Sequence, residues 1–294
     1  MDREPKTIKS ITRYFREAIR FYDLDKPFAA QAIFLLILAV LFGGYMLARP
    51  YAMDFYTHYE QLYVGLQGEL TLENLNSLVF LSGTYEAMIQ SLIRVVLMVA
   101  AIQLVAFLVS LFFGSWYFFS LTNPGMSVGQ RTLVFFSRLP KIIVFNLLFY
   151  TAFYLGVAVL IMVFGVITFI VPVLSIFTAL LPLAVMALST LFVFKDLLII
   201  EFDIGIFRNF KKTIDLTRGN KKQIIINMMS LYFIGWLLSM FSIDVNNAVL
   251  ALFITAFMES IILIVTQRLS VLMFLDAASL ERSDKKKDES IEAV

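Results

Sequence analysis

No charged side chain occurs between Pro27 and Ala48, between Val95 and Gln130, between Ile142 and Phe194, or between Gln223 and Ile243. Such stretches constrain the fold more than any motif. A hydrocarbon core ~30 Å thick is crossed by about 20 residues of helix rising 1.5 Å each, and every one of these stretches is long enough. Hydrophobic residues make up 60% of the chain and charged residues 16%, against about 45–50% and about 25% in soluble domains. With 30 Phe and 13 Met, water-soluble packing could not hide this much apolar surface. A bilayer has to be the solvent for most of the chain.

The expected fold is all-α and polytopic, with one membrane domain over residues 1–275 and a disordered tail over 276–294. Six transmembrane helices are expected at about 27–48, 91–119, 141–164, 168–194, 223–241 and 248–273. The charged start and the length of the first apolar run argue against a cleaved signal peptide. Residues 6–22 have the spacing of a surface-lying helix. Ile8, Ile11, Phe15, Ile19 and Tyr22 recur at steps of three and four, and Lys9, Arg13, Arg16 and Arg20 do so on another face.

Between the first two spans, residues 49–86 read as helically spaced, with a second short helix over 71–81 stopped by Gly83. The apolar run 87–121 is read as one protruding helix, followed by a turn at Asn123-Pro124-Gly125. A short basic segment around Arg131 and Arg138 leads through Pro140 into the third span, and Gly165 is expected to turn the chain into the fourth.

Lysine and arginine counts set the expected orientation. Twenty-two of the 24 basic residues fall in the N-terminal segment, at 120–141, at 195–222 or after residue 267; Arg49 and Arg94 are the others. Both termini are therefore expected in the cytoplasm of a bacterial-type plasma membrane. The spans would form three hairpins, each introduced by a cytoplasmic interfacial amphipathic helix. Lys26, Lys141 and Lys222 are each followed five residues later by an amide: Gln31, Asn146 and Asn227.

Ionisable groups inside a span are costly and are functional candidates. Glu259 is the clear one, ~13 Å inside its helix from Arg268 at 1.5 Å per residue. Depth argues against Arg94 as its partner and places Asn146 and Asn227 at a similar inner-leaflet depth, so an intramembrane cluster of Glu259 with Asn146 or Asn227 is expected. Interhelical hydrogen bonding and a proton or ion relay are its two readings.

Catalytic constellations are absent. There is no cysteine, a single histidine (His58), and no P-loop, GxGxxG or HExxH. No metal, cofactor or nucleic-acid site is expected, and the chain reads as non-enzymatic. The carboxylates Asp196, Glu201, Asp203 and Asp215 are expected to cap helices or face water.

The segment Lys195–Lys222 is the longest charged interruption between apolar runs. Asp203 is expected to cap a helix whose apolar face holds Ile206 or Phe207, Phe210 and Ile214, and Gly219-Asn220 is expected to end it. Ile214-Asp215-Leu216-Thr217-Arg218-Gly219-Asn220, directly followed by a span, resembles a bacterial six-span integral membrane family of unknown function. That family is related to the membrane domain of glycerophosphoryl diester phosphodiesterases. Thr213 departs from its pattern. The resemblance implies topology and is nearly silent on activity.

A membrane scaffold or accessory subunit is the expected function. It would contact anionic headgroups, or a protein partner on the cytoplasmic face, through Lys9, Arg13, Arg16, Arg20, Lys211, Lys212, Arg218, Lys221 and Lys222. A permease-like transporter component without its own ATPase is the alternative.

Overall fold

The computed structural model describes residues 7–19, 26–67, 75–170, 175–240 and 247–283. Among the described residues the chain is all helical: α1 (Ile11–Ile19), α2 (Pro27–Gln67), α3 (Leu75–Thr122), α4 (Val128–Ile170), α5 (Ser175–Thr190), α6 (Lys195–Phe202), α7 (Ile206–Thr217), α8 (Lys221–Ser239) and α9 (Ala248–Ala277). Five described stretches are long and apolar enough to cross a membrane: Pro27–Gly65, Ser82–Thr122, Val128–Val166, Leu180–Phe202 and Ala248–Ala277. The expected fifth span corresponds to α8, which is not among them. Its 19 residues open with Lys221, Lys222 and Gln223 and include Asn227, which dilutes its apolar content.

Helices run further than their punctuation suggests. α2 continues through Pro50 for 41 residues, ~61 Å at 1.5 Å each and twice a bilayer core. The short helix expected to stop at Gly83 is instead the start of α3, whose 48 residues pass through that glycine. Pro140 does not separate a surface segment from a span, because α4 passes through it and beyond Gly165. A proline removes one backbone donor, and a long helix packed by its side chains tolerates that loss. Residues 171–174 and 241–246 lie outside the described residues.

Other turns obey local chemistry. α3 ends at Thr122, before Asn123-Pro124-Gly125. α4 then opens on a capping box: the Ser127 N–H donates to Gln130 Oε1 (2.9 Å) and the Gln130 N–H to Ser127 Oγ (3.2 Å). Asn247 caps α9, its side-chain oxygen accepting from the Val249 and Leu250 N–H groups. α7 leaves through Thr217-Arg218-Gly219-Asn220. Arg218 is extended at φ −62°, ψ 128°, Gly219 has φ +86°, and the Asn220 N–H returns to the Thr217 carbonyl at 3.1 Å. This is a type II turn, whose third position requires the left-handed conformation glycine adopts without strain.

Two compact units are distinguished. One comprises Ala32–Ser110 and Leu238–Ile261. Ile33, Ile37, Leu41, Ile102, Ala106 and Ala256 are buried in it, and Phe34 meets Phe257, and Phe42 Phe253, edge to face at 5.8 and 5.5 Å. Gly44 brings α2 close to α3: a Cβ there would lie 2.6 Å from Ile102 Cγ1. Gly44→Val is expected to destabilise this unit by about 1–3 kcal/mol through overpacking, with recovery when Ile102→Ala is added. Thermal unfolding of the two variants in detergent checks this, and equal midpoints for both would refute the close approach.

The other unit comprises Met1–Gln31, Leu111–Leu237 and Ile262–Val294. α1 packs in it differently from its apolar periodicity. Ile8, Tyr14 and Ala18 are buried, whereas Phe15 and Ile19 are exposed; Tyr22 lies outside the described residues. The reason is polar. The Tyr14 hydroxyl accepts from the Lys9 N–H (3.0 Å) and donates to Asp276 (2.6 Å), and the Lys9 ammonium lies 3.8 Å from the same carboxylate. Burial and that carboxylate push the Tyr14 phenol above its ordinary value. Arg282 pairs with Glu17 and Ser283 donates to the Thr122 carbonyl (2.7 Å). Residues 276–283, expected to be disordered, are thus held in place; 284–294 lie outside the described residues.

Candidate functional site

A buried polar centre is built where the candidate span Leu180–Phe202 is broken. α5 stops at Thr190, and the next residues form tight turns, with Leu191, Phe192 and Val193 N–H groups each bonding three residues back. α6 then starts at Lys195. A tightened stretch within a helix often marks a hinge or a functional position. α6 is only 8 residues long, and Lys195 through Ile200 are all buried.

Its first two residues are charged. The Lys195 ammonium lies 2.7 Å from the Asp196 carboxylate, both side chains less than a tenth exposed. The Asn146 amide donates to the other Asp196 oxygen at 2.6 Å and to the Ile142 carbonyl at 2.9 Å. Lys195 also lies over the rings of Phe149 (5.6 Å) and Tyr150 (5.3 Å), whose faces attract a cation. Desolvating two ions costs several kcal/mol each, and here their mutual attraction, the asparagine donor and the aromatic faces offset it. Asp196 in the first helical turn also faces the positive end of the α6 dipole.

α4 holds the other end of α6. The Arg138 guanidinium donates to the Ile199 carbonyl (3.1 Å), which also accepts the Asp203 N–H (3.1 Å), and to that of Ile200, adding donors at the carbonyl end of the helix. Lys141 donates to Asp203 (2.6 Å), which holds that carboxyl below its usual range. Asp203 terminates α6 in the left-handed conformation at φ 48°, ψ 40°, so it does not start α7 as its position suggests. Gly205 precedes α7 instead.

α7 docks on this centre by its polar side. Asn209, Thr213 and Thr217 are its buried residues. The Asn209 amide donates to the Lys195 carbonyl at 2.8 Å, and Thr213 donates to Asn209 at 3.3 Å. Phe210 completes the seat, its ring 4.8 Å from Phe145, 6.0 Å from Phe149 and 6.4 Å from Phe192. Phe207, expected among the alternatives for the apolar inner face, is 89% exposed. Asp196, expected to cap a helix or face water, is buried and paired.

Glu259 has other partners than expected. Tyr45 donates to one carboxylate oxygen, and the Gln103 amide donates to the other at 2.6 Å and to the Tyr45 oxygen at 2.8 Å. This three-helix triangle joins α2, α3 and α9. Asn146 belongs instead to the Lys195–Asp196 centre. Asn227 accepts from Gln223 (2.8 Å) and donates to the Lys9 carbonyl (3.0 Å), with Met273 Sδ at 3.4 Å. The expected cluster of Glu259 with Asn146 or Asn227 is therefore replaced by separate sets of partners. Tyr45 was missed because a tyrosine in an apolar run reads as an aromatic; the Gly43-Gly44 step before it was its one signal.

The basic residues fall into two groups. Arg13, Arg16, Lys211, Arg218, Lys221 and Lys222 are exposed. Lys9 meets Asp276, and the Lys212 ammonium lies 3.5 Å from the centre of the Phe202 ring. Arg20 lies outside the described residues. Among the described residues no group of three or more His, Cys, Asp or Glu is placed to hold a metal ion. Comparison of the chain with protein-family models, curated proteins and solved structures finds no match in any of the three.

Proposed function

We propose that this protein is a non-enzymatic scaffold or accessory subunit of a bacterial-type plasma membrane, with six spans in three hairpins and both termini in the cytoplasm. The likeness of Ile214–Asn220 and its flanks to the phosphodiesterase-related membrane family belongs to the same reading. The observation that carries it is α7: a basic helix between two apolar ones, anchored through Asn209 to a buried charge centre and presenting exposed Lys211 and Arg218. A rigidly held basic helix at the end of a span is suited to engaging headgroups or a partner.

The chain has no cysteine, so single cysteines at the exposed positions Ser10, Gly125, Lys211, Ala248 and Glu281 report topology directly. Labelling by an impermeant maleimide in intact cells is expected at Ala248→Cys alone, the others reacting only after permeabilisation. Outside labelling at any of those four would overturn the three-hairpin arrangement.

A second reading, a transporter component, draws on the broken span with a buried ion pair at its break. Discontinuous helices and intramembrane charges accompany substrate pathways. Recovery of a stoichiometric ATPase subunit with the tagged protein would favour it over the scaffold.

A further inference from the structure

An ordinary surface helix turns its apolar side toward the protein. α7 does so only through Phe210, seated against Phe145. Its buried residues are Asn209, Thr213 and Thr217, while Phe207 is 89% and Ile214 48% exposed. At 100° per residue, Phe207, Lys211 and Ile214 lie within about 60° of one another, and one outward stripe therefore alternates apolar and basic side chains. Arg218 at the helix end and Lys221 and Lys222 beyond the turn add exposed cations. Asp215 is the exposed acid of the helix. None of the four cations Lys211, Arg218, Lys221 and Lys222 has an ion pair among the described residues.

Two observations say what covers this stripe. α7 is tied at both ends to apolar chain, following the end of the candidate span Leu180–Phe202 and preceding α8 by a single tight turn. Its 12 residues, ~18 Å long, are confined to the edge of whatever surrounds those helices. An apolar ring flanked by cations also matches a phospholipid surface in both respects, with an acyl boundary for Phe207 and phosphates for the ammonium and guanidinium groups.

We propose that the outward face of α7 is a binding site for anionic phospholipid, with Phe207 and Ile214 entering the headgroup–acyl boundary and Lys211, Arg218, Lys221 and Lys222 holding the phosphates. This rests on the reading of α7 as a membrane-surface helix. The buried Asn209–Thr213–Thr217 stripe fixes the depth and rotation of the helix, so the site is preformed.

The test uses the full chain carrying Phe207→Cys, labelled with a small fluorophore and reconstituted in nanodiscs. Phe207 is too exposed for its loss to disturb the packing. Nitroxide lipids with anionic or zwitterionic headgroups, each labelled high on the acyl chain, serve as quenchers. Quenching by both is expected, with the anionic lipid more effective by about fivefold or more, the factor that one basic residue near an anionic surface supplies. That preference is expected to fall to about one in the variant Lys211→Gln, Arg218→Gln, Lys221→Gln, Lys222→Gln. Equal quenching by both lipids, unchanged in that variant, would overturn the anionic site and leave the surface-helix reading standing. Quenching by aqueous iodide but by neither lipid would overturn both and mark the stripe as a protein-docking face.

Discussion

Lys195→Met is expected to be among the most destabilising single substitutions in the chain, costing about 3–5 kcal/mol, because it strands the Asp196 carboxylate in a buried site. Asp196 would keep the Asn146 amide, 2.6 Å away, but lose the ammonium that neutralises it. Lys195→Met combined with Asp196→Leu is expected to recover most of that loss, since buried ion pairs replaced by apolar residues of similar volume are often neutral. Recovery stays incomplete because Asn146 loses a partner. Denaturant unfolding in detergent, followed by the fluorescence of Trp116 and Trp236, measures both. If the single and double variants unfold at the same midpoint, the pair is not a coupled buried unit.

Phe210→Ala should release α7 from its seat. The ring packs against Phe145, Phe149 and Phe192, and truncating a packed phenylalanine costs about 3 kcal/mol or more. The Asn209 bond to the Lys195 carbonyl remains but acts alone. When opening and closing are fast relative to cleavage, proteolysis follows the population of the open form. Trypsin cleavage after Arg208 and Lys211 is therefore expected to accelerate about a hundredfold, since each 1.4 kcal/mol is tenfold. Cleavage after Arg94, in α3, should not change and serves as the control. An unaltered rate at Arg208 and Lys211 would show that α7 is already open in the parent protein.

These two expectations depend on contacts that periodicity could not supply. Asn146 and Asp196 were each visible as polar residues beside apolar runs, yet their pairing brings together positions 50 apart in sequence. Tyr45, Gln103 and Glu259 come from three different helices. A hydrogen bond is decided within ~3 Å, whereas helical spacing reports only which residues share a face. Depth counted at 1.5 Å per residue orders groups along one helix and does not say which helix lies beside it.

Local signals succeeded where the chemistry is itself local. Thr217-Arg218-Gly219-Asn220 forms the stop it spells, because one glycine meets a backbone requirement at one position. Gly83, Pro140 and Gly165 failed as boundaries because the penalty for glycine or proline within a helix is finite. It is outweighed when a long apolar helix has no other way to satisfy its backbone in hydrocarbon. Asp203 misled in the same manner: a residue that favours helix starts also tolerates the left-handed conformation, and it ends α6.

By itself the sequence determined that the chain is helical and membrane-embedded in character, since transferring uncharged apolar side chains out of water needs no particular neighbour. It also marked Lys195–Lys222 as the stretch between apolar helices where charge concentrates. Only the tertiary structure decided that Lys195 and Asp196 turn inward, that α7 docks by its asparagine and threonines, and that Phe207 and Ile214 face out. The physical reason is competition: a buried charge must find specific partners within a few ångströms, and once Asn146, Asn209 and the aromatic rings supplied them, only Phe210 of the apolar α7 residues named turned inward while Phe207 and Ile214 were left for the outside.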